Sequence, residues 1–73
     1  MEYDIWVRKL RALRNKKQLT QREVAERMHL SRSQYSAIEN GLSLANYKHL
    51  YNLAKVFRMT MADLVTMRDV RSA

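Results

Sequence analysis

The 73-residue chain contains a single glycine, Gly41, and no proline. Turns in β-sandwiches and β-hairpins depend heavily on these two residues, and phosphate-binding loops require several glycines. A turn-rich β-fold and a glycine-rich phosphate loop are therefore excluded. The absence of cysteine also excludes a disulfide framework, a cysteine-ligated zinc site and a thiol nucleophile. We therefore expect an all-α protein.

The charge and size of the chain further limit the class of protein that it can be. Fourteen Lys and Arg residues stand against seven Asp and Glu residues, which gives a formal charge of +7. Hydrophobic residues make up 47% of the chain, too many for a disordered basic tail. No apolar run approaches the roughly 18 residues of a membrane span. We expect one soluble, cytoplasmic domain over residues 1–73, whose small core favours support from a dimer partner or a ligand.

Apolar residues recur at helical spacing in five segments. The periodicity predicts helices at about residues 4–17, 21–28, 32–39, 46–57 and 61–67, followed by a short tail at about 68–73. Asp4 is expected to cap the first helix. The apolar positions at helical spacing are Trp6, Leu10, Leu13, Val24, Ala25, Met28, Tyr35, Ile38, Tyr47, Leu50, Leu53, Ala54, Phe57, Leu64 and Val65.

Two adjacent segments share a helix-start signature. Thr20 is followed three residues later by Glu23, which is the spacing of a capping box. Ser31 and Gln34 repeat that spacing. Gly41 then ends the second of these helices, because glycine adopts the left-handed conformation most easily. Two short helices joined by a three-residue turn must cross steeply, which predicts a helix-turn-helix at about residues 20–40.

The run LTQREVAERMHLSRSQYSAIENG at residues 19–41 resembles the helix-turn-helix of the Cro/CI-type (XRE) family of phage and bacterial repressors. Arg14 occupies the position of a family arginine in helix 1, and residues 53–55, 59–61 and 63–64 resemble the closing helices. The resemblance extends over about residues 5–65 and implies the five-helix, lambda-repressor-like DNA-binding fold. The chain departs from the family at His29 and Arg58, where glycine is usual. If both positions are left-handed, each side chain costs of order 1 kcal/mol.

The resemblance implies that helix 32–39 lies in the DNA major groove. The expected base contacts are Arg32, Ser33, Ser36 and Ala37. An arginine can donate two hydrogen bonds to guanine O6 and N7, worth about 1–3 kcal/mol of discrimination. The alternative for Arg32 is a solvated or phosphate-bound side chain. The alternative for the three small residues is that they merely let the helix approach the DNA closely.

Contacts to the DNA backbone are expected around this helix. Gln21 begins the preceding helix, whose free N–H groups and positive dipole end attract phosphate, and the resemblance implies that it also supports Arg32. The resemblance further implies an ion pair between Arg14 and Glu39, with a surface pair worth under about 1 kcal/mol as the alternative. For the residues that follow helix 32–39, the alternative to a phosphate contact is a plain helix cap and turn. The expected phosphate contacts are Gln21, Arg14, Arg22, Asn40, Ser43, Asn46 and Lys48, together with the N–H of Gly41.

The sequence offers no convincing catalytic or metal-binding constellation. His29 and His49 lie twenty residues apart, and a tetrahedral metal site requires more ligands than these two. No nucleophile–base pair and no pair of carboxylates directed at one cleft is evident. We therefore expect neither an enzyme nor a bound metal or cofactor.

The resemblance favours a sequence-specific transcription regulator of double-stranded DNA, acting as a homodimeric repressor on an inverted repeat. The expected dimer surface contains Leu42, Leu44, Tyr51 and Met61. Alternatives are an antitoxin that neutralises a toxin, and a controller of a restriction–modification system. The expected partners are double-stranded DNA, a second copy of the chain, and a toxin or RNA polymerase. We expect the protein to be encoded by a bacterium or a phage and to be associated with the nucleoid.

Overall fold

The computed structural model describes residues 3–66, and every regular element among them is an α-helix. The helices are α1 (Tyr3–Lys16), α2 (Gln21–Arg27), α3 (Arg32–Glu39), α4 (Tyr47–Val56) and α5 (Met61–Thr66). The all-α prediction is confirmed, and the described helix boundaries fall within one residue of those expected. The predicted tail at 68–73 lies outside the described residues. None of these five helices has the length and apolar character needed to cross a membrane.

One cluster of buried side chains joins all five helices. The Trp6 indole Nε1 donates a hydrogen bond to the Leu64 carbonyl oxygen at 3.0 Å, which ties α1 to α5. Since α1, the longest helix, has only 14 residues, the helices depend on this packing rather than on intrinsic propensity. The cluster contains Trp6, Val7, Leu10, Leu13, Val24, Ala25, Met28, Tyr35, Ile38, Leu53, Ala54, Phe57 and Leu64.

Two apolar residues expected on buried helix faces are exposed instead. Tyr47 is 75% exposed and Val65 is 38% exposed. Tyr47 is the first residue of α4 and lies before the stripe that buries Leu50 partly and Leu53 fully. Val65 is rotated by about 100° from buried Leu64, so the two side chains cannot share one narrow face of α5.

The first helix begins earlier than expected. Tyr3 is already helical, so Asp4 lies inside the first turn of α1 rather than at the cap position before it. Tertiary contacts hold the tyrosine there. Its hydroxyl donates to the Ser43 carbonyl oxygen at 2.9 Å and accepts from the Ala45 N–H at 3.1 Å, and its ring stacks on Trp6. Because Ser43 and Ala45 are about forty residues away from Tyr3 in the chain, no local pattern indicates these two hydrogen bonds.

Capping boxes begin three of the helices. The boxes predicted at Thr20 and Ser31 are present, with the side-chain oxygen of each cap 3.0 Å from the N–H three residues on. A third box begins α4. There the Asn46 side chain accepts from the His49 N–H at 2.8 Å, and His49 Nδ1 accepts from the Asn46 N–H at 3.3 Å. The sequence gives little warning of this box, because its usual third residue is Glu or Gln.

Four helices, α1 to α4, end in one hydrogen-bonded motif. The N–H groups of two successive residues donate to carbonyls three and five residues earlier, which is the Schellman pattern. The first of these two residues is left-handed in every case. His29 and Arg58 therefore do adopt the conformation for which glycine is usual. The four positive φ angles are Gln18 58°, His29 59°, Gly41 78° and Arg58 56°.

Candidate nucleic-acid interface

The helices α2 and α3 form the predicted helix-turn-helix. They pack against each other, and α3 also packs against α1. The turn between them contains left-handed His29 and half-buried Leu30, and Ser31 then caps α3. Packing on two neighbours fixes α3 in place and leaves its remaining face at the surface.

The surface of α3 carries the residues expected to contact bases. Arg32 and Ser33 are exposed, whereas Ser36 and Ala37 are half-buried. The Ser36 hydroxyl accepts a hydrogen bond from Asn40 Nδ2 at 3.2 Å. Within residues 3–66, the Arg32 guanidinium takes part in no hydrogen bond or ion pair. Its five N–H donors are therefore available to a ligand.

Behind this surface, Glu39 at the end of α3 has no solvent exposure. Arg14 of α1 binds its carboxylate twice, through Nε at 2.7 Å and Nη2 at 2.9 Å, and donates from Nη1 to the Leu19 carbonyl oxygen at 2.8 Å. The Tyr35 hydroxyl donates to Oε2 at 2.6 Å, and the Gln21 amide donates to Oε1 at 3.1 Å. This Glu39 network (Glu39, Arg14, Tyr35 and Gln21) therefore joins α1, α2 and α3 at one point.

The network determines the charge state of its members. Burial raises the pKa of the Glu39 carboxyl, but hydrogen bonds from Arg14, Tyr35 and Gln21 outweigh that effect and hold the pKa below the usual range. Burial and the neighbouring carboxylate both raise the pKa of the Tyr35 hydroxyl. At neutral pH the network therefore contains an ionised glutamate and a protonated tyrosine, which is the pairing that a short O–H···O⁻ bond requires.

Five of the expected phosphate contacts are exposed at the surface, and three of them are Arg22, Ser43 and Lys48. Arg22 lies on α2, Ser43 on the loop after α3, and Lys48 on α4. The backbone of the loop is fixed, since the Ser43 N–H donates to the Ala37 carbonyl oxygen at 3.1 Å and its own carbonyl accepts from Tyr3. These residues are therefore presented by ordered backbone on three different elements.

Other expected phosphate contacts already have partners within the protein. The Gln21 amide is bonded to Glu39 rather than to Arg32. The Asn46 side chain caps α4. The expectation of a free N–H at Gly41 is wrong, because this group donates to the Ile38 carbonyl oxygen at 3.1 Å as part of the helix end.

Arg11 and the Tyr35 hydroxyl belong to this site although no pattern in the sequence assigned them a role there. Arg11 Nη2 donates to Asn40 Oδ1 at 2.9 Å, and its Nε lies 3.5 Å from Glu39 Oε1. Arg11 precedes Arg14 by three residues, and residues at this spacing share a helix face. The Tyr35 hydroxyl lies four residues before Glu39 on α3, which is also a neighbouring position. Helical spacing from Arg14 and Glu39 was thus the available signal for both.

The segment after α3 exposes several large apolar side chains. Leu42 is 83% exposed, Leu44 72%, Tyr47 75% and Tyr51 49%. We call these four residues the apolar segment. The predicted dimer surface contained Met61 in place of Tyr47, but Met61 is partly buried against the core. Lys55 Nζ lies 5.3 Å from the centre of the Tyr51 ring, so one face of that ring is already in contact.

Each of the two histidines contributes to one end of a helix. His29 forms the left-handed end of α2, and His49 closes the capping box of α4. Across residues 3–66, no group of three or more His, Cys, Asp or Glu side chains is arranged to hold a metal ion.

Comparison with known proteins agrees with this geometry. The HTH-type transcriptional activator BcrR of Enterococcus faecalis is 36% identical over 62 residues, which cover 85% of this chain and 30% of that protein. The chain thus spans less than a third of the length of this relative. No solved structure matches the chain significantly. The sequence profile of the helix-turn-helix family matches residues 10–64, from α1 to α5. The chain therefore belongs to the XRE-type helix-turn-helix family.

Proposed function

We propose that this chain is a transcription regulator that recognises specific sequences in double-stranded DNA, with α3 in the major groove. The observation that carries the proposal is the contrast between the two sides of α3. Arg32 and Ser33 are exposed on one side, while buried Glu39 fixes the other side to α1 and α2. A recognition helix needs both properties, since side chains must reach base edges from a backbone that does not move.

Arg32 is the residue proposed to distinguish bases most strongly. It is the first residue of α3, directly after the Ser31 cap, and helix-turn-helix proteins contact base edges from this end of the helix. Its guanidinium can donate to both O6 and N7 of a guanine. Ser33, Ser36 and Ala37 complete the proposed surface, and Ala37 offers an apolar contact to a thymine methyl group.

The proposed backbone contacts surround this surface. Arg22 and Lys48 supply positive charge, and Ser43 supplies a short polar side chain. Gln21, Arg14, Asn40 and Asn46 are the remaining proposed contacts, each in addition to the internal bond it already makes. Binding through these contacts releases counterions from the DNA, so affinity should fall steeply as salt increases.

We further propose that two copies bind one inverted repeat. The longest dimension of the described part of the chain, residues 3–66, is 30 Å, whereas half-sites one turn apart are separated by about 34 Å. One copy therefore covers one half-site. The apolar segment is the surface assigned to the contact between copies, because it concentrates large apolar side chains that a single copy leaves exposed.

We propose repression, by occlusion of a promoter, as the mode of regulation. The related BcrR is named an activator, so transcription in vitro from a promoter overlapping the bound site is the deciding measurement. A decrease in transcript with added protein supports repression. An increase supports activation through contact with RNA polymerase.

The test of DNA recognition is selection from a random pool of duplex DNA at about 150 mM salt, since lower salt rewards charge alone. An enriched inverted repeat is the expected result. Arg32→Ala should then relax the preference at one guanine position and cost about 1–3 kcal/mol on the preferred site. Arg22→Ala is the matched control, and should weaken binding about equally on all sequences.

Absence of any enriched sequence with wild-type protein would overturn this function. The apolar segment would then be examined as a surface for a different protein, which is the antitoxin alternative. Pull-down of purified candidate toxins by wild-type protein and by Tyr47→Ser would test that alternative directly.

A further inference from the structure

Arg11 provides a positive charge that its own fold contacts do not require. Its Nε lies 3.5 Å from Glu39 Oε1, beyond the usual range of a hydrogen bond. Glu39 is already neutralised by Arg14, whose two bonds to the carboxylate measure 2.7 and 2.9 Å. The positive charge of Arg11 is therefore not needed to neutralise the Glu39 carboxylate.

The guanidinium of Arg11 is accessible from outside. Its side chain is 52% exposed, compared with 13% for Arg14. It lines an open groove of about 240 Å³, together with Asp4 and Arg8 of α1 and Asn40. Of the five N–H donors of an arginine, one is directed at Asn40. The groove that Arg11 lines is large enough for a phosphate group.

Asn40 connects this guanidinium to α3. It is the C-cap residue of that helix, and its Oδ1 accepts from Arg11 Nη2 at 2.9 Å. Its Nδ2 donates to the Ser36 hydroxyl at 3.2 Å, and Ser36 belongs to the proposed base-reading surface. Two hydrogen bonds thus fix Arg11 relative to α3, which reduces the side-chain entropy lost when a ligand binds.

We infer that Arg11 binds a phosphate of the DNA backbone beside the end of α3, and that Asn40 positions its guanidinium. The inference rests on the function proposed above. Asn40 was expected to contact phosphate, but its amide oxygen and nitrogen already form hydrogen bonds with Arg11 and Ser36. The inference therefore assigns the main phosphate contact at this point to Arg11. A guanidinium offers phosphate both charge and paired donors, which an amide does not.

The test is the salt dependence of DNA binding by Arg11→Gln between about 50 and 200 mM salt. One phosphate contact contributes about 0.9 to the slope of log K against log salt. The variant should show a slope shallower by this amount, so its deficit in affinity shrinks about 3.5-fold across the range. The deficit should be the same on selected and scrambled duplexes, since phosphate contacts carry no sequence information.

Two variants separate this role from general effects. Arg58→Gln removes the same charge from an exposed position outside this groove, at the end of α4, and should leave the slope unchanged. Asn40→Ala keeps the charge of Arg11 but removes its support, and should lower affinity with little change in slope. Circular dichroism of each variant at each salt concentration shows whether it is fully folded, so that a loss of contact is not confused with a loss of stability.

An unchanged slope for Arg11→Gln would overturn the inference, as would an equal decrease for Arg58→Gln. Either result leaves the proposed function intact if wild-type protein still enriches an inverted repeat. Failure of the wild-type selection would instead remove the proposed function and the inference together.

Discussion

The end of α3 shares its backbone motif with the ends of α1, α2 and α4, but different side chains secure it. At the other three ends, the residue after the left-handed position is Leu19, Leu30 or Met59, and each of these packs against the core. The corresponding residue after α3 is Leu42, which is 83% exposed. An apolar contact back onto the helix commonly accompanies a Schellman end. The end of α3 lacks the burial that accompanies the other three.

At the end of α3, polar contacts replace the missing apolar contact. Glu39, its last residue, is fully buried and receives hydrogen bonds from α1 and α2. The left-handed residue also differs, since Gly41 stands where the other ends have Gln18, His29 and Arg58, and no atom lies within 4 Å of the position of a Cβ there. The end of α3 is therefore held by a buried ion pair, while the Leu42 side chain beyond it remains exposed.

The largest predicted effect comes from breaking the internal support of α3. Arg14→Met leaves Glu39 buried without its cation, and should lower the free energy of unfolding by about 3–5 kcal/mol. Urea denaturation followed by circular dichroism measures the change. Arg11→Met is the matched control: its ion pair with the same carboxylate is half exposed, so the loss should stay below about 1 kcal/mol. Equal losses in the two variants would contradict the special position of Arg14.

Acid should weaken the same end of α3. The pKa of Glu39 is lowered by folding, so the unfolded chain binds more protons in acid and the free energy of unfolding falls as the pH is lowered. This stabilisation is complete above the ordinary glutamate pKa of about 4.3 and is lost as pH falls through the lowered pKa. Urea midpoints measured from neutral pH downward provide the check.

Two variants assign that acid effect to Glu39. Glu39→Gln cannot titrate, so its stability should change less with acid than that of wild type. Tyr35→Phe removes one hydrogen bond that lowers the Glu39 pKa, so its acid transition should move to higher pH. An unchanged transition in Tyr35→Phe would show that other carboxylates dominate the acid response.

Local signals in the sequence were sufficient for most of the fold. The boxes at Thr20 and Ser31 located the starts of α2 and α3, and glycine at position 41 located the end of α3. Each signal depends on residues within a few positions of each other. The box at Asn46 was missed because His49 replaces the usual Glu or Gln.

Contacts between distant residues were much less predictable. The hydrogen bonds of Tyr3 to the loop after α3, and of Arg11 to Asn40, join residues far apart in the chain. The pairing of Arg14 with Glu39 was expected only through the family resemblance, since nothing in their own spacing indicates it. Exposure of Tyr47 also depends on where α4 packs, which helical periodicity does not specify.

Exchanging the left-handed residues at two helix ends should change the free energy of unfolding by intermediate amounts. Gly41→Ala should destabilise the protein by about 1 kcal/mol, from backbone strain alone, because its Cβ meets no other atom. His29→Gly should stabilise it by somewhat less than about 1 kcal/mol, since added flexibility of the unfolded chain offsets part of the relieved strain. Urea denaturation should thus show opposite signs at the two ends. A loss of stability in His29→Gly would mean that its side chain contributes contacts that outweigh the strain.

The smallest expected effect on stability is at Leu42, and it separates the two kinds of helix end most directly. Leu42→Ala should change the free energy of unfolding by no more than about 0.5 kcal/mol, because the side chain is exposed. Leu19→Ala, the equivalent change after α1, should cost about 1–2 kcal/mol, since that side chain packs partly against the core. Measured by sedimentation equilibrium, Leu42→Ala should instead weaken self-association while Leu19→Ala leaves it intact. If Leu42→Ala altered neither stability nor self-association, the dimer contact would have to lie outside this part of the apolar segment.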